Sequence, residues 1–194
     1  TKYLSDYFFT IFSYLKYLLH AKNAHGLHSP FVYNLFTEVI QDRDNSYEKG
    51  ILSLRKRLIN QPGIISFTDP KTGKKHQKSI HSIGHKSASS HSFSYFLVKL
   101  INHQQYRSVL ETGTSLGINT AYLHTSDAVQ IFTLEGSEEI ANQAQINFEQ
   151  YQMDKVQLIR GMLRDQFVPA LKQAKADLIF LDADHRSESV RWCL

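Results

Sequence analysis

Apolar side chains recur at helical spacing along the first hundred residues. Leu4, Phe8, Ile11, Phe12, Leu15, Leu18 and Leu19 share one helical face. Tyr7, Tyr14 and Tyr17 widen that face beyond what one neighbour covers, so this first helix is expected to pack on two partners. Another subunit is one candidate for the second partner, which makes the aromatic helix a candidate homodimer interface. A turn at residues 23–26 should end it. Ser29-Pro30 then supplies an N-cap and a proline at the first helical position of a second helix. Its expected buried stripe is Val32, Leu35, Phe36, Val39 and Ile40. A third helix is expected over 47–60, stopped by Pro62-Gly63. Residues 64–67 and 74–80, either side of Asp69-Pro70-Lys71-Thr72-Gly73, read as a hairpin or a loop. A fourth helix carries Phe93, Phe96, Leu97, Leu100 and Ile101 after a serine cluster.

Beyond residue 105 the rhythm changes. Short apolar runs at 108–110, 130–134, 156–159 and 177–181 alternate with helical stretches at 118–125, 138–151 and 165–174. Strands that alternate with helices imply right-handed crossovers and a parallel sheet with helices on its faces. The fold class expected is therefore α/β: a Rossmann-like parallel sheet, cut off after its fourth strand, preceded by a helical N-terminal region. The expected division is 1–104, helical with a basic hairpin or loop near 64–80, and 105–194, a Rossmann-like domain incomplete at its C-terminus. Ligands of such sheets bind at the carboxyl ends of the strands, so the turns there should carry function.

Composition adds less. The chain has 194 residues, 42% hydrophobic and 21% charged, which is ordinary for a globular protein. A single cysteine, Cys193, allows no intrachain disulfide and points to a reducing compartment, so a cytoplasmic location is expected. The longest apolar stretch, 7–19, is broken by Ser13 and Lys16 and is too short for a bilayer span. Charge is uneven. Residues 47–91 hold nine Lys and Arg against two acids, whereas 104–194 hold eight against twelve. The basic segment allows an acidic partner such as RNA, or simply a solvated surface.

Four turns hold the candidate chemistry. The first reads Leu110-Glu111-Thr112-Gly113-Thr114-Ser115-Leu116-Gly117. Gly113 permits a tight turn and close backbone approach to a ligand, ahead of the free N–H groups of a helix. Thr114 and Ser115 replace the three-glycine spacing of a dinucleotide site. The carboxylate of Glu111, two residues ahead of Gly113, suits a ligand with a positive amino group better than a pyrophosphate. The second turn presents Glu135, about 20 residues past the glycine loop, where an acid accepts hydrogen bonds from both hydroxyls of a ribose. The third, Arg160-Gly161-Met162, reads either as cover for an adenine edge or as a plain loop with Met162 in the core. The fourth, Leu181-Asp182-Ala183-Asp184-His185, puts two carboxylates and an imidazole at the tip of a buried strand, costly unless used or paired.

Together these motifs resemble the class I S-adenosylmethionine-dependent methyltransferases, above all the O-methyltransferases related to catechol and caffeoyl-CoA enzymes. The resemblance rests on Glu111 to Gly117, Glu135 and Asp182-Ala183-Asp184-His185, within 106–186. The segment His25-Gly26-Leu27-His28-Ser29-Pro30-Phe31 is similar to a bacterial branch of that superfamily. What the resemblance implies is O-methylation of a small molecule. S-adenosylmethionine would lie on Glu111, Gly113, Thr114, Ser115, Gly117, Glu135, Gly161, Met162 and Asp182. It also implies that Asp182 matches a carboxylate of a divalent-metal site, Mg²⁺ being the usual ion. His185 falls where those enzymes carry a lysine near the acceptor hydroxyl, and an imidazole is a workable base near neutral pH.

Rival readings are an RNA methyltransferase using the basic segment, a non-catalytic adenosyl-binding scaffold, and a nicotinamide enzyme, against which the missing third glycine argues. His76, His81, His85 and His91 lack an accompanying cysteine and fit no common zinc spacing.

Overall fold

The computed structural model describes residues 2–20, 28–41, 49–68, 73–183 and 187–193. By compactness the chain divides into Thr1–Asp42 and Arg43–Leu194.

In the first unit, helix α1 (Lys2–His20) carries the expected apolar run, and the expected turn after it lies outside the described residues. Helix α2 (Pro30–Asn34) starts at Ser29, whose hydroxyl accepts from the Val32 N–H at 3.4 Å. It then widens into a π-helix over Leu35–Ile40, where the Gln41 N–H reaches the Phe36 carbonyl at 2.8 Å. Thr37 accounts for the widening locally: its hydroxyl donates back to the Tyr33 carbonyl at 3.0 Å and competes with the ladder. The expected stripe is correspondingly dispersed, with Val39 buried, Leu35 and Phe36 half-buried, and Val32 and Ile40 exposed.

The second unit is built on a four-stranded parallel sheet of β3 (Ser108–Thr112), β4 (Gln130–Glu135), β5 (Val156–Arg160) and β6 (Leu178–Leu181), in the order β5-β4-β3-β6. The chain leaves β3 in one direction through β4 and β5, then returns to its other side as β6. The carboxyl ends of β3 and β6 therefore flank a switch point, where connections diverge and open a crevice. Among the described residues β6, the fourth strand of this sheet in chain order, lies at one edge and β5 at the other.

Strand alternation assigns the two faces. Leu110, Phe132 and Leu134 pack with Phe167, Ala170 and Ala174 of α8 (Leu163–Ala174). Val109 and Ile131 point the other way, onto Leu123 of α6 (Ile118–His124) and onto Leu97 and Ile101 of α5 (His91–Gln104). Helix α7 (Glu138–Gln150) joins this second face and begins at its Ser137 cap.

Within the second unit, the elements between residues 49 and 104 share cores with the sheet and its helices. Ile51 and Leu58 of α3 (Lys49–Ile59) share one core with Leu116, Ile118, Tyr122 and Phe148. The same cluster takes in Ile65 of β1 (Ile64–Thr68), which pairs antiparallel with β2 (Lys75–Ser79) in the expected hairpin. Two short helices were not expected, α4 (Ile80–Ser87) and α9 (Ser187–Cys193).

At the amino end of the sheet, Asp177 Oδ2 accepts the backbone N–H groups of Arg107 and Ser108 at 2.8 and 3.0 Å. These bonds, the one from Ser108 foremost, hold its carboxyl below the usual carboxylate range. A depressed folded-state pKa stabilises the fold above the unfolded value and is lost as pH falls through the folded one. Asp177→Asn should therefore lower the urea midpoint at neutral pH and make no difference in strong acid. Equal loss at both pH values would show that the charge is not involved.

Candidate functional site

The crevice at the β3–β6 switch point is a cavity of about 340 Å³ lined by Lys86, Ser87, Ala88, Ser89, Gly113, Ser115, Glu135 and Asp182. A second cavity of about 310 Å³ shares Lys86, Ser87, Ser115 and Glu135 with it and adds Phe67, Lys78, Ser82, Ile83 and Ile140.

Backbone sterics make the first cavity possible. Gly113 sits at φ +91°, and a Cβ there would lie 2.9 Å from the Asp182 carbonyl oxygen, so only glycine lets the turns after β3 and β6 pass so closely. The Gly113 and Thr114 N–H groups donate to the Leu134 carbonyl, which ties the loop to β4. Gly117 has a different role. At φ +77° it opens α6, and a Cβ would meet the Phe148 ring at 2.4 Å. It is a packing glycine rather than a cavity residue.

Glu111, expected from sequence to line a ligand, lies beneath the loop and is not among the residues lining either cavity. Its carboxylate is enclosed beneath the loop, on the face covered by α6. Oε1 accepts from Asn119 Nδ2 at 2.8 Å, and Oε2 from the hydroxyls of Thr120 at 2.5 Å and Thr133 at 2.7 Å. Thr114 meets the Thr133 hydroxyl at 2.7 Å; as Thr133 donates to Glu111, Thr114 donates to Thr133. Burial pushes the Glu111 carboxyl up and the negative Asp182 adds to that, while the bonds from Thr120, Asn119 and Thr133 oppose it. Glu111 and Thr114 thus brace the loop from below.

Glu135 lies at the end of β4 and lines both cavities. Its Oε2 accepts the Ser115 N–H and its Oε1 the Ser137 N–H, each at 2.9 Å. A carboxylate offers about four acceptor positions, so two remain. The macrodipole duty at α7 falls to Glu138 and Glu139 with Ser137 as cap, which frees Glu135 from it. Asp182 lines the first cavity, and its N–H donates to the Thr112 carbonyl and hydroxyl. Gly161 donates its N–H to the Glu135 carbonyl at 2.9 Å. The Met162 sulfur lies 3.5 Å from where a Cβ on Gly136 would be. Both border the Glu135 turn without lining either cavity. His185 lies outside the described residues.

The wall formed by Lys86, Ser87, Ala88 and Ser89 was not anticipated from sequence. Ser87 and Ser115 share a hydroxyl–hydroxyl bond of 2.7 Å across the cleft. Arg55 of α3 donates to the Ser89 carbonyl at 2.7 Å and lies over the Tyr122 ring, whose hydroxyl bonds His91 Nδ1 at 2.9 Å. Burial, and then Arg55, hold the His91 imidazole below its usual pKa. The serine-rich link between two helices was the available signal. Other histidines are dispersed: His76 stacks on Phe67, and His81 contacts His85. Among the described residues no group of three His, Cys, Asp or Glu could hold a metal ion.

Solved structures share this architecture. Cofactor-bound Rv0187 from MTB matches with a TM-score of 0.55 and 22% identity, over 81% of this chain and 65% of that one. An O-methyltransferase from Bacillus cereus in complex with SAH matches at 0.55 and 23%, over 82% and 68%. The SAH-bound methyltransferase PaMTH1 of Podospora anserina matches at 0.53 and 18%, over 85% and 63%. The chain shares the α/β, Rossmann-like fold of these structures and spans about two thirds of their length. No family model matches the sequence, and no curated relative matches it.

Replacing Glu111 by Gln turns an acceptor toward donors, so Glu111→Gln should lower unfolding free energy by about 1–3 kcal/mol in urea titrations. Gly117→Ala should lose a similar ~1–3 kcal/mol through backbone strain and the Phe148 clash. A neutral result for Glu111→Gln would disprove the bracing role, and a neutral Gly117→Ala would refute the packing constraint.

Proposed function

We propose that this chain binds S-adenosylmethionine in the crevice between β3 and β6 and, as part of a methyltransferase, transfers its methyl group to an oxygen of a small-molecule acceptor. The observation that carries this reading is Glu135. Its carboxylate is already oriented by two backbone N–H groups, keeps two acceptor positions, and faces both cavities. That is the chemistry a ribose diol needs. SAH in the related B. cereus and P. anserina structures supports the same ligand class.

The residues present fit the group. Glu135 would take the ribose hydroxyls. Gly113 and Ser115 would lie along the sugar and the methionine portion, with Thr114 and Gly117 fixing the loop behind them. Gly161 and Met162 would border the adenine, next to the Glu135 turn that Gly161 already bonds. Asp182 and Glu135 place two acids against one cation, Lys86, in the first cavity, which suits the positive sulfonium and amino groups. When bound, S-adenosylmethionine supplies an already activated methyl group; the protein's task is to align an acceptor oxygen, exclude water and take a proton. His185, three residues after Asp182, is the proposed base. A divalent metal does not fit on Asp182 alone, because Mg²⁺ wants octahedral oxygen coordination.

An RNA acceptor is less well supported, since several cations of the basic segment serve internal contacts. Arg55 is bound to Ser89, Arg57 lies over Tyr151 and Lys78 over Phe67. No described helix is long and apolar enough to cross a membrane.

Calorimetric titration with S-adenosylhomocysteine should show binding that NAD does not reproduce. Glu135→Ala should weaken it by roughly ten- to a hundredfold, the loss of one or two hydrogen bonds to a charged acceptor. Binding untouched by Glu135→Ala, or NAD binding as tightly, would remove the reading.

A further inference from the structure

Strand alternation gives the β1–β2 hairpin two faces. Ile65 lies opposite Lys78 and Phe67 opposite His76, so these four side chains share one side of the ribbon. Ile65 is buried in the core, which makes that side the inward one. Ser66, Lys75 and Gln77 take the outward side, as polar residues of a half-buried pair ordinarily do. Lys78 breaks the pattern, an ammonium on the side that meets the core. It does not enter the core but lines the second cavity, where its Nζ lies 5.4 Å from the centre of the Phe67 ring.

That cavity has two kinds of wall. Phe67 from the hairpin, Ile83 from α4 and Ile140 from α7 supply apolar surface. Lys78 and Lys86 supply positive charge, and among the described residues neither ammonium is paired with a carboxylate. Glu135 is the acid of the lining, and both its oxygens already accept backbone N–H groups. The first cavity has the opposite balance, with Glu135 and Asp182 against Lys86. Gly113 and Asp182 line the first alone, and Phe67, Lys78, Ile83 and Ile140 the second alone. Two compartments of opposite electrostatic preference therefore adjoin at Lys86, Ser87, Ser115 and Glu135.

We infer that the second cavity is a binding site of its own, for a small molecule with an apolar body and one carboxylate. The body lies against Phe67, Ile83 and Ile140, and the carboxylate meets the Lys78 and Lys86 ammonium groups. Two cations against one acid leave a single positive charge in the lining, which matches a monoanion better than a phosphate dianion. The inference needs only this cavity and its lining, not an adenosyl ligand in the neighbouring one.

Calorimetric titration of octanoate, 1-octanol and octylamine into the whole chain tests the site. Octanoate should bind, and roughly tenfold more tightly than the alcohol or the amine. Lys78→Met should weaken octanoate roughly five- to tenfold, the loss of one charge-assisted contact. Lys78→Arg should keep the affinity, and Lys75→Met, on the outward side of the same strand, should leave it unchanged. Octanoate should still bind in the presence of excess S-adenosylhomocysteine. Failure of octanoate to bind the wild type would overturn the inference, as would octylamine or octanol binding as tightly. So would equal affinities for Lys78→Met and Lys75→Met, or complete exclusion of octanoate by S-adenosylhomocysteine. A chain that takes octanoate and ignores S-adenosylhomocysteine loses the adenosyl reading and keeps this one.

Discussion

The cleft depends on the buried carboxylate of Glu111. An ionised group removed from water is costly unless its lone pairs are satisfied, and Glu111 is satisfied by donors from two other elements. Asn119 and Thr120 come from α6 and Thr133 from β4, with Thr114 of the loop joined through Thr133. One side chain of β3 thus couples two strands, a helix and the turn between them. With the turn held, Gly113 can run against the Asp182 carbonyl without a side chain between them. The crevice is the space left above this brace.

Two acids with the same side chain therefore perform different work a short distance apart. Glu111 is turned inward, beneath α6, and every partner it has is protein. Glu135 stands at the rim, takes two backbone N–H groups and still faces open volume. The wall opposite is supplied by the helices before the sheet. Ser87 reaches Ser115 across the cleft, and Arg55 fixes the Ser89 carbonyl from α3. Residues 49–104 are thus part of the crevice as much as the glycine loop is, which explains why they share a core with α6 and α7.

The parallel sheet was legible because its strands are short apolar runs bounded by turn residues, and because Ser29, Ser90 and Ser137 each cap a helix with a side-chain bond. Helix α4 was not, for a physical reason. Its eight residues include Gly84, His81, His85 and two serines, all weak helix formers, and it owes its existence to tertiary contacts. Ile80 and Ile83 join the core, and Gly84 lies where a Cβ would stand 3.2 Å from both Ile59 and Leu116. The cavity wall is the last two residues of α4, Lys86 and Ser87, with Ala88 and Ser89 just after it, so missing the helix meant missing the wall. The buried setting of Glu111 was not read from sequence for another reason: its spacing to Gly113 drew attention to a ligand, although strand alternation already put it on the same face as Val109, beneath α6.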